Sequence, residues 1–455
     1  MHGNQTVKIA PYAEWTEFLA ANPDIQAIDA FVIDANGQVA GKRLEAADAE
    51  GLYARGVQFS KSALIADVHG HGHDAGGFGK SDGDPDGNAM PLPGALVRVP
   101  WASTPTAQVV CQMTVADDGG PVWFDPRVIL ADVVSRCRAA GINPVVACEL
   151  EFYLIDPKRG PDGAIRPATP PGLDAPRRPG NLSLEMVDQN ATFLNAVNAA
   201  ARVQGLPVAG CVAEYGVGQF EVNLTHLADP VLAADQAVLL KRLVRGVARS
   251  LGMEATFMAK PYMNQPGSGL HIHASIVDDA GINRFGQPGG EALLEQGIAG
   301  MQALLFDSFA FFAPNFNSQR RYLSVFVPTS RDWGHNNRSV AFRVPPQTGS
   351  ARRIEHRVAG ADASPHLTMA AMLAGLLHGL TNELVPTPPV DGRASHGGDP
   401  EFPGDLIVAL DRLVRGTALS AYIPQRFLEV FAGTRRGEYL EFLGEISCRE
   451  YDFYA

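Results

Sequence analysis

The stretch Val146-Ala147-Cys148-Glu149-Leu150-Glu151-Phe152-Tyr153-Leu154 constrains the fold more than any other part of the chain. Its apolar, β-branched and aromatic residues predict a buried strand. Alternate residues of a strand share a face, so Glu149 and Glu151 point the same way. Two carboxylates on an inward face are costly unless a cation or strong hydrogen bonds offset their charge. A divalent metal is the simplest partner, and a strand with one solvated face is the plain alternative.

The remaining acids and histidines decide between these readings, and composition limits where they can act. With 455 residues, 46% of them hydrophobic and 19% charged, the chain has the make-up of a globular protein of two or three domains. A formal charge of −12 leaves no basic footprint for nucleic acid. The 5 cysteines are scattered without Cys-x-x-Cys spacing, which predicts neither a disulfide framework nor a zinc ribbon and fits a reducing compartment. The first residues show no basic-then-apolar signal pattern, and the longest apolar run, His366 to Leu380, is too short to span a bilayer. A cytoplasmic protein without nucleic-acid or membrane partners is expected.

Residues 27 to 43 alternate apolar and polar around Asp34-Ala-Asn-Gly37, which predicts strand, turn and strand in a small β-rich N-terminal domain. Further apolar runs at Ala95 to Val99 and Val109 to Val115 extend it to about residue 113. The intervening loop, Asp67 to Pro91, holds His69-Gly-His71-Gly-His73, whose glycine spacers predict a solvated loop more readily than a metal site. It also holds Gly76-Gly-Phe-Gly79-Lys80-Ser81, which fails as a P-loop because Asp74 stands where the first glycine is required.

Asp125-Pro126 opens a predicted helix closed by Gly141, and the glutamate strand follows. A proline-rich loop (156 to 180) and a helix from Asp188 to Gly205 come next. In Glu214-Tyr-Gly-Val-Gly-Gln219-Phe-Glu221-Val-Asn223 the glycines imply a turn, after which Gln219, Glu221 and Asn223 share a face. A long helix runs from Asp229-Pro230 to Gly252, then Thr256 to Ser275 reads as strand, glycine turn and strand, with His271 and His273 facing one way. Arg353, Glu355 and Arg357 share a face of another predicted strand, which taken alone is a solvated charged face. A helix from Pro365 to Leu380, a proline-rich loop and two C-terminal helical segments complete the chain.

Four separated strands thus bring acids, histidines and arginines to what can be one face. Several carboxylates with one histidine suit hard cations such as Mg²⁺ or Mn²⁺, and neighbouring arginines suit a phosphate in transfer. Five ordered motifs resemble the glutamine synthetase family over nearly the whole chain. They are Glu149-Leu-Glu151-Phe, Glu214-x4-Gln219-Phe-Glu221, Lys260-Pro261 with Gly267-Ser-Gly-Leu-His271-Ile-His273-Ala-Ser275, Asn337-Arg338-Ser339 with Arg343, and Arg352-Arg353-Ile-Glu355-His-Arg357.

The resemblance implies an α+β protein with a β-grasp N-terminal domain (1–113) and a larger catalytic domain (114–455), assembled as a dodecamer with each site at a subunit interface. By position it implies one metal on Glu151, Glu214 and Glu221 and a second on Glu149, His271 and Glu355. It assigns His273, Ser275, Arg343 and Arg353 to ATP, Gly267, Arg321 and Arg357 to glutamate, and Arg338 with Arg321 to the transferring phosphate. The implied reaction is ATP-dependent formation of γ-glutamyl phosphate, then attack by an amine.

The chain departs from the family where ammonia is held. Relatives that use ammonia have an aspartate in a Phe-Asp-Gly-Ser-Ser stretch, whereas this chain reads Phe59-Ser60-Lys61-Ser62-Ala63. They also close the site with a flap glutamate, but Tyr322 to Asn337 contains none, and Val327 stands at about that place. Losing both anions removes the attraction for NH₄⁺ and the base that deprotonates it. Pro266 replaces an asparagine before Gly-Ser-Gly, and no tyrosine lies between Leu384 and Ala421 to match the bacterial adenylylation site.

Phe257-Met-Ala-Lys260-Pro261 and Arg353-Ile-Glu-His-Arg-Val-Ala-Gly-Ala-Asp362 resemble γ-glutamylpolyamine synthetases, including those for putrescine, which implies an amine larger than ammonia. Lys61 would repel the second ammonium group of a polyamine, so alkyl or aromatic monoamines, with Phe326 and Trp333 lining a pocket, are one alternative, and ammonia is the other. Outside the ligases stand a catalytically inactive family member serving as a structural or regulatory assembly and a phosphotransferase that forms no amide.

Overall fold

The computed structural model describes residues 7–115, 119–170, 172–176, 182–324, 327–394 and 398–455, except for the side chain of residue 452. Two sheets organise them. The first contains β1 (Ala27–Ile33), β2 (Val39–Glu45), β3 (Val57–Ser60), β4 (Asp86–Arg98) and β5 (Thr106–Val115) in the order β2-β1-β5-β4-β3. The β1/β5 pair is parallel and the others antiparallel, as a β-grasp requires of its first and last strands. Helices Tyr12–Ala21 and Ala49–Arg55 bury Trp15, Leu52 and Tyr53 in its core.

The second sheet is built from β6 (Asn143–Ile155), β7 (Val208–Ala213), β8 (Gln219–Leu224), β9 (Glu254–Thr256), β10 (Leu270–Val277), β11 (Trp333–His335), β12 (Phe342–Val344) and β13 (Ile354–His356). Its order is β11-β12-β13-β10-β6-β8-β7, with β9 also paired to β6. Along β6 the even-numbered residues Val146, Cys148, Leu150, Phe152 and Leu154 are buried in the main apolar core. Helices Pro126–Ala139, Pro230–Ser250 and Pro365–Thr381 add Val133, Leu240, Leu243 and Leu373 to the same core. Each such side chain contributes about 1.5–3 kcal/mol, and the alternation leaves Glu149 and Glu151 on the opposite face.

The helix starts follow local chemistry. Asp125 accepts from the Arg127 amide and Asp229 from those of Val231 and Leu232, each followed by proline at the first helical position. The two sheets are tied by the Pro230–Ser250 helix, where Arg242 donates to Asp29 on β1 (2.7 Å) and to Gln108 on β5 (2.9 Å).

Three elements differ from expectation. The helix expected over 188–205 is two, Leu184–Gln189 and Ala191–Val203, because Asn190 leaves helical geometry and its side chain donates to the Met186 carbonyl at 2.9 Å. β4 begins at Asp86, inside the expected glycine-rich loop, and tolerates Pro91 and Pro93 because its register breaks between Pro91 and Leu96. The C-terminal region forms three helices, Leu406–Arg415, Gln425–Leu443 and Cys448–Tyr454, rather than two.

Candidate active site

Strand register assembles the charged face. Antiparallel pairing sets Glu149 opposite His271 on β10 and opposite Asn223 on β8, and sets Glu151 opposite Glu221. It also sets His273 opposite Glu355 on β13, and Arg343 on β12 opposite the same Glu355. Directly opposed side chains lie about 4.5–5.5 Å apart at Cβ, so the acids, histidines and arginines form one continuous patch.

Within it, ligand atoms of Glu149, His271 and Glu355 lie within 4.8 Å of one another, and so do those of Glu151, Glu221 and His271. His271 therefore stands between two acid groups. Glu214, on the turn before β8, is outside both clusters, although its charge is felt at Glu151 and Glu221.

The neighbours hold this geometry. Glu149 lies 2.8 Å from His273 Nε2 and 3.5 Å from His271 Nδ1. Arg353 Nε donates to His273 Nδ1 at 3.0 Å, which keeps the proton on Nε2, facing Glu149. Glu355 is 1% exposed and paired with Arg343 (2.6 Å) and Arg357. Glu151 accepts from the Gly269 amide (2.8 Å) and from Gln219 (3.3 Å). Gln219 is fixed in turn by Tyr153, whose hydroxyl lies 2.8 Å from the Pro266 carbonyl, its nearer acceptor, and 3.1 Å from Gln219 Oε1.

Arg321 is buried against the Val358 carbonyl (2.7 Å), beside Gly267 and Gly269. Ser275 is buried two residues along β10 from His273, and Arg338 is exposed with its charge reaching Glu214. Among the described residues, the buried Nε groups of Arg321, Arg343 and Arg357 and the Asn223 Oδ1 find no hydrogen-bond partner. Buried donors without acceptors fit an anionic ligand.

The acids divide electrostatically. Burial opposes ionisation of Glu149, but the His271 and His273 imidazoles beside it outweigh that and hold the carboxyl below the usual range. Glu355 is likewise buried, and the charges of Arg357, His273 and His271 bring it down to about 2. Burial, then repulsion from Glu214, pushes Glu151 up to about 7, and burial with repulsion from Glu149, Glu151 and Glu214 pushes Glu221 up to about 9. Burial, then the Arg357 charge, lowers His271 to about 4, so it is neutral and able to ligate at pH 7.

A divalent cation held between Glu151 and Glu221 would relieve their mutual repulsion, and oxygen donors of this kind suit a hard cation. The sign of its pH dependence follows from linkage. Between the unfolded pKa near 4.5 and the raised values at Glu151 and Glu221, the metal-free folded state binds more protons than the unfolded state, so these two groups make it less stable as pH rises. A cation that takes their oxygens removes that loss. The rise in Tm on adding millimolar Mg²⁺ is therefore expected to be larger at pH 9 than at pH 6, with roughly one to two protons released per site on binding at pH 7. Equal Tm increments at the two pH values would contradict this.

Two features of the site were not expected from the sequence. His226, in the loop after β8, packs its ring 6.0 Å from that of His273, and burial and the His273 charge lower its pKa to about 4. The Gly269 backbone brackets Glu151, accepting from its amide at 3.0 Å as well as donating to its carboxylate. Neither has a strand-parity signal.

Trp333, read as a pocket residue, is instead core: it is 1% exposed and its indole donates to the Thr387 carbonyl at 2.5 Å. Phe326 lies outside the described residues. Ser60 ends β3, the outer strand of the first sheet, and Lys61 opens the turn after it, so both stand on a different sheet from the carboxylate face.

Comparison with known proteins accords with this geometry. Residues 124–454 match the model of the glutamine synthetase catalytic domain. The chain is 39% identical to the gamma-glutamylputrescine synthetase of Escherichia coli K12, over 94% of this chain and 91% of that protein. It is 32% identical to a glutamate–isopropylamine ligase of a Pseudomonas species, over 83% of each chain. The solved GmaS/ADP complex superimposes with a TM-score of 0.82 over 96% of this chain and 98% of its own; at 24% identity it speaks to the fold alone. The chain belongs to the glutamine synthetase family.

Proposed function

We propose that this protein is an ATP-dependent ligase that joins the γ-carboxylate of glutamate to an amine larger than ammonia. The observation that carries the reading is the single sheet face on which Glu149, Glu151, Glu221, His271 and Glu355 cluster beside the guanidinium groups of Arg343, Arg353 and Arg357. Glu151, Glu214 and Glu221 would hold one Mg²⁺ or Mn²⁺ and Glu149, His271 and Glu355 the other. Bound there, the cations supply charge neutralisation to phosphate oxygens.

The residues themselves do the positioning. His273, Ser275, Arg343 and Arg353 orient ATP at the β10–β13 side of the face. Arg321 and Arg357, with Gly267 allowing close approach, hold glutamate so that its γ-carboxylate meets the terminal phosphate in line. Arg338, exposed beside Glu214, neutralises the phosphate during transfer and as the leaving group of γ-glutamyl phosphate. The amine attacks the acyl carbon, an amide bond forms, phosphate departs, and a proton is lost from nitrogen.

The amine assignment rests on Ser60 and Val327, which stand where ammonia-using relatives are expected to carry anions. It gains support from the relatives, one named for putrescine and the other for isopropylamine, both larger than ammonia. Lys61, beside Ser60, favours a monoamine over a diamine because a second ammonium group would meet a like charge.

Phosphate release with glutamate, ATP and a panel of ammonium, putrescine, spermidine, ethanolamine, alkyl amines and aromatic amines tests the reading. Turnover is expected with at least one larger amine at a kcat/KM roughly 100-fold or more above that for ammonium. Turnover with ammonium alone would sink the specificity claim. Glutamate-dependent ADP formation that no amine accelerates would indicate a phosphotransferase, and absence of ATP binding a protein without catalysis.

The amine end is completed by the first sheet of a neighbouring subunit in a cytoplasmic dodecamer. Support comes from the C-terminal region, where Leu440, Phe442, Leu443, Ile446, Tyr451, Phe453 and Tyr454 are all exposed, a concentration of apolar surface that assembly would cover. Sedimentation at about twelve subunit masses checks the stoichiometry.

A further inference from the structure

The His69-Gly-His71-Gly-His73 loop is exposed at His69 and His71, as its glycine spacing predicts, but it is not slack. The Asp67 side chain is fully buried beneath it. Asp67 Oδ1 accepts from the amides of His69 (2.9 Å) and His71 (2.8 Å), and the Asp67 amide donates to the His71 carbonyl at 3.0 Å. His73 Nε2 lies 2.7 Å from Asp67 Oδ2. The ring of His73 is pressed against the Gln425–Leu443 helix at Gly437, where a Cβ would fall 2.2 Å from His73 Nδ1. One helical turn further, at the i+4 position, Glu441 reaches back to the same loop.

We propose that Asp67, His71 and Glu441 form a second metal site, separate from the carboxylate face, that takes a first-row transition dication such as Zn²⁺ and clamps the loop to the C-terminal helix. His71 Nδ1 stands 3.7 Å from Asp67 Oδ2 and 3.7 Å from Glu441 Oε2, and the three ligand atoms lie within 4.8 Å of one another. Those separations are too long for hydrogen bonds. They suit a bridged ion: two ligands at about 2.1 Å from one tetrahedral zinc are roughly 3.4 Å apart.

One imidazole with two carboxylates is a mixed nitrogen and oxygen set, which selects a borderline ion over Mg²⁺. Oδ1 of Asp67 is engaged by the loop amides, so Oδ2 is the ligating oxygen. His73 then acts as a positioning residue, holding that carboxylate in place from behind. With three protein ligands, the fourth position falls to water or to a neighbouring side chain such as His69, whose ring is 6.0 Å from that of His71.

His71 and Glu441 are 60% and 53% exposed at their side chains, so replacing them leaves the core untouched. The experiment is Zn²⁺ titration by calorimetry on the full-length protein in excess Mg²⁺, comparing wild type with His71→Ala, Glu441→Gln and the double variant. Wild type should bind one equivalent more than each variant, the double should lose no more than either single, and Mg²⁺-dependent ligase activity should persist in all. His73→Ala should keep the equivalent but weaken it about 10–100-fold. Equal stoichiometry and affinity in wild type, His71→Ala and Glu441→Gln would overturn the proposal, as would the absence of Zn²⁺ uptake by wild type.

Discussion

Glu149→Gln and Glu151→Gln are each expected to lower the ligase kcat by roughly 10³-fold or more, the loss of several kcal/mol of transition-state stabilisation that accompanies loss of a catalytic cation. The two should fail differently. Glu149 clusters with His271 and Glu355, and Glu151 with Glu221, so each variant should lose one class of Mn²⁺ binding and retain the other, and His271→Ala should lose the same class as Glu149→Gln. Titration followed by electron paramagnetic resonance distinguishes the classes, and loss of the same class in both variants would contradict the assignment.

Misfolding is distinguishable from metal loss. Glu151 carries a carboxyl that burial and Glu214 push up to about 7, so neutralising it removes an unfavourable charge at pH 9. The metal-free Glu151→Gln protein should therefore melt no lower than metal-free wild type at that pH. Glu149→Gln should also relieve Glu221, because the Glu149 charge is the largest cause after burial of that residue's raised pKa.

The parity of the strands was legible because it is a local property. Glu149 and Glu151, Gln219, Glu221 and Asn223, and His271 and His273 each fall on one face through the period of two, and β6, β8 and β10 carry them that way. Cross-strand partners were not legible, since pairing Glu151 with Glu221 or His273 with Glu355 depends on register between segments distant in sequence. Glu355 shows the cost of reading a segment alone: its charged neighbours suggest a solvated strand, yet Arg343 and Arg357 meet it in the interior.

Short or interrupted elements were also hidden. β3 has only 4 residues, too few for alternation to register, and Asn190 splits a helix without proline or glycine. The His-Gly loop is exposed as its spacing predicts, but its anchoring was hidden because the Gln425–Leu443 helix lies more than 350 residues away. Trp333 misled for the opposite reason, since an aromatic residue next to a predicted flap is as easily core as pocket.

Gly269→Ala is expected to cost roughly 100-fold or more in kcat/KM for glutamate while leaving the fold standing. An added Cβ would fall 2.8 Å from His271 Nε2 and 2.9 Å from Arg321 Nη2, so two site side chains must move. Both contacts are with the ends of side chains, which can shift at little expense in stability, whereas a displacement of about 1 Å in a positioning group is enough for such a kinetic loss. The substitution also disturbs the backbone that holds Glu151 from both sides.

Gly267→Ala should behave otherwise. Its Cβ would meet the Ala259 carbonyl at 2.5 Å, a backbone atom that cannot step aside, so Tm should fall together with activity. Gly210→Ala, with nothing among the described residues within 4 Å of the added methyl, supplies the control and should leave both unchanged. Melting curves and glutamate kinetics on the three proteins separate the cases. If Gly269→Ala retained wild-type kcat/KM, the tight meeting of His271, Arg321 and Glu151 at this backbone position would not be the glutamate end of the site.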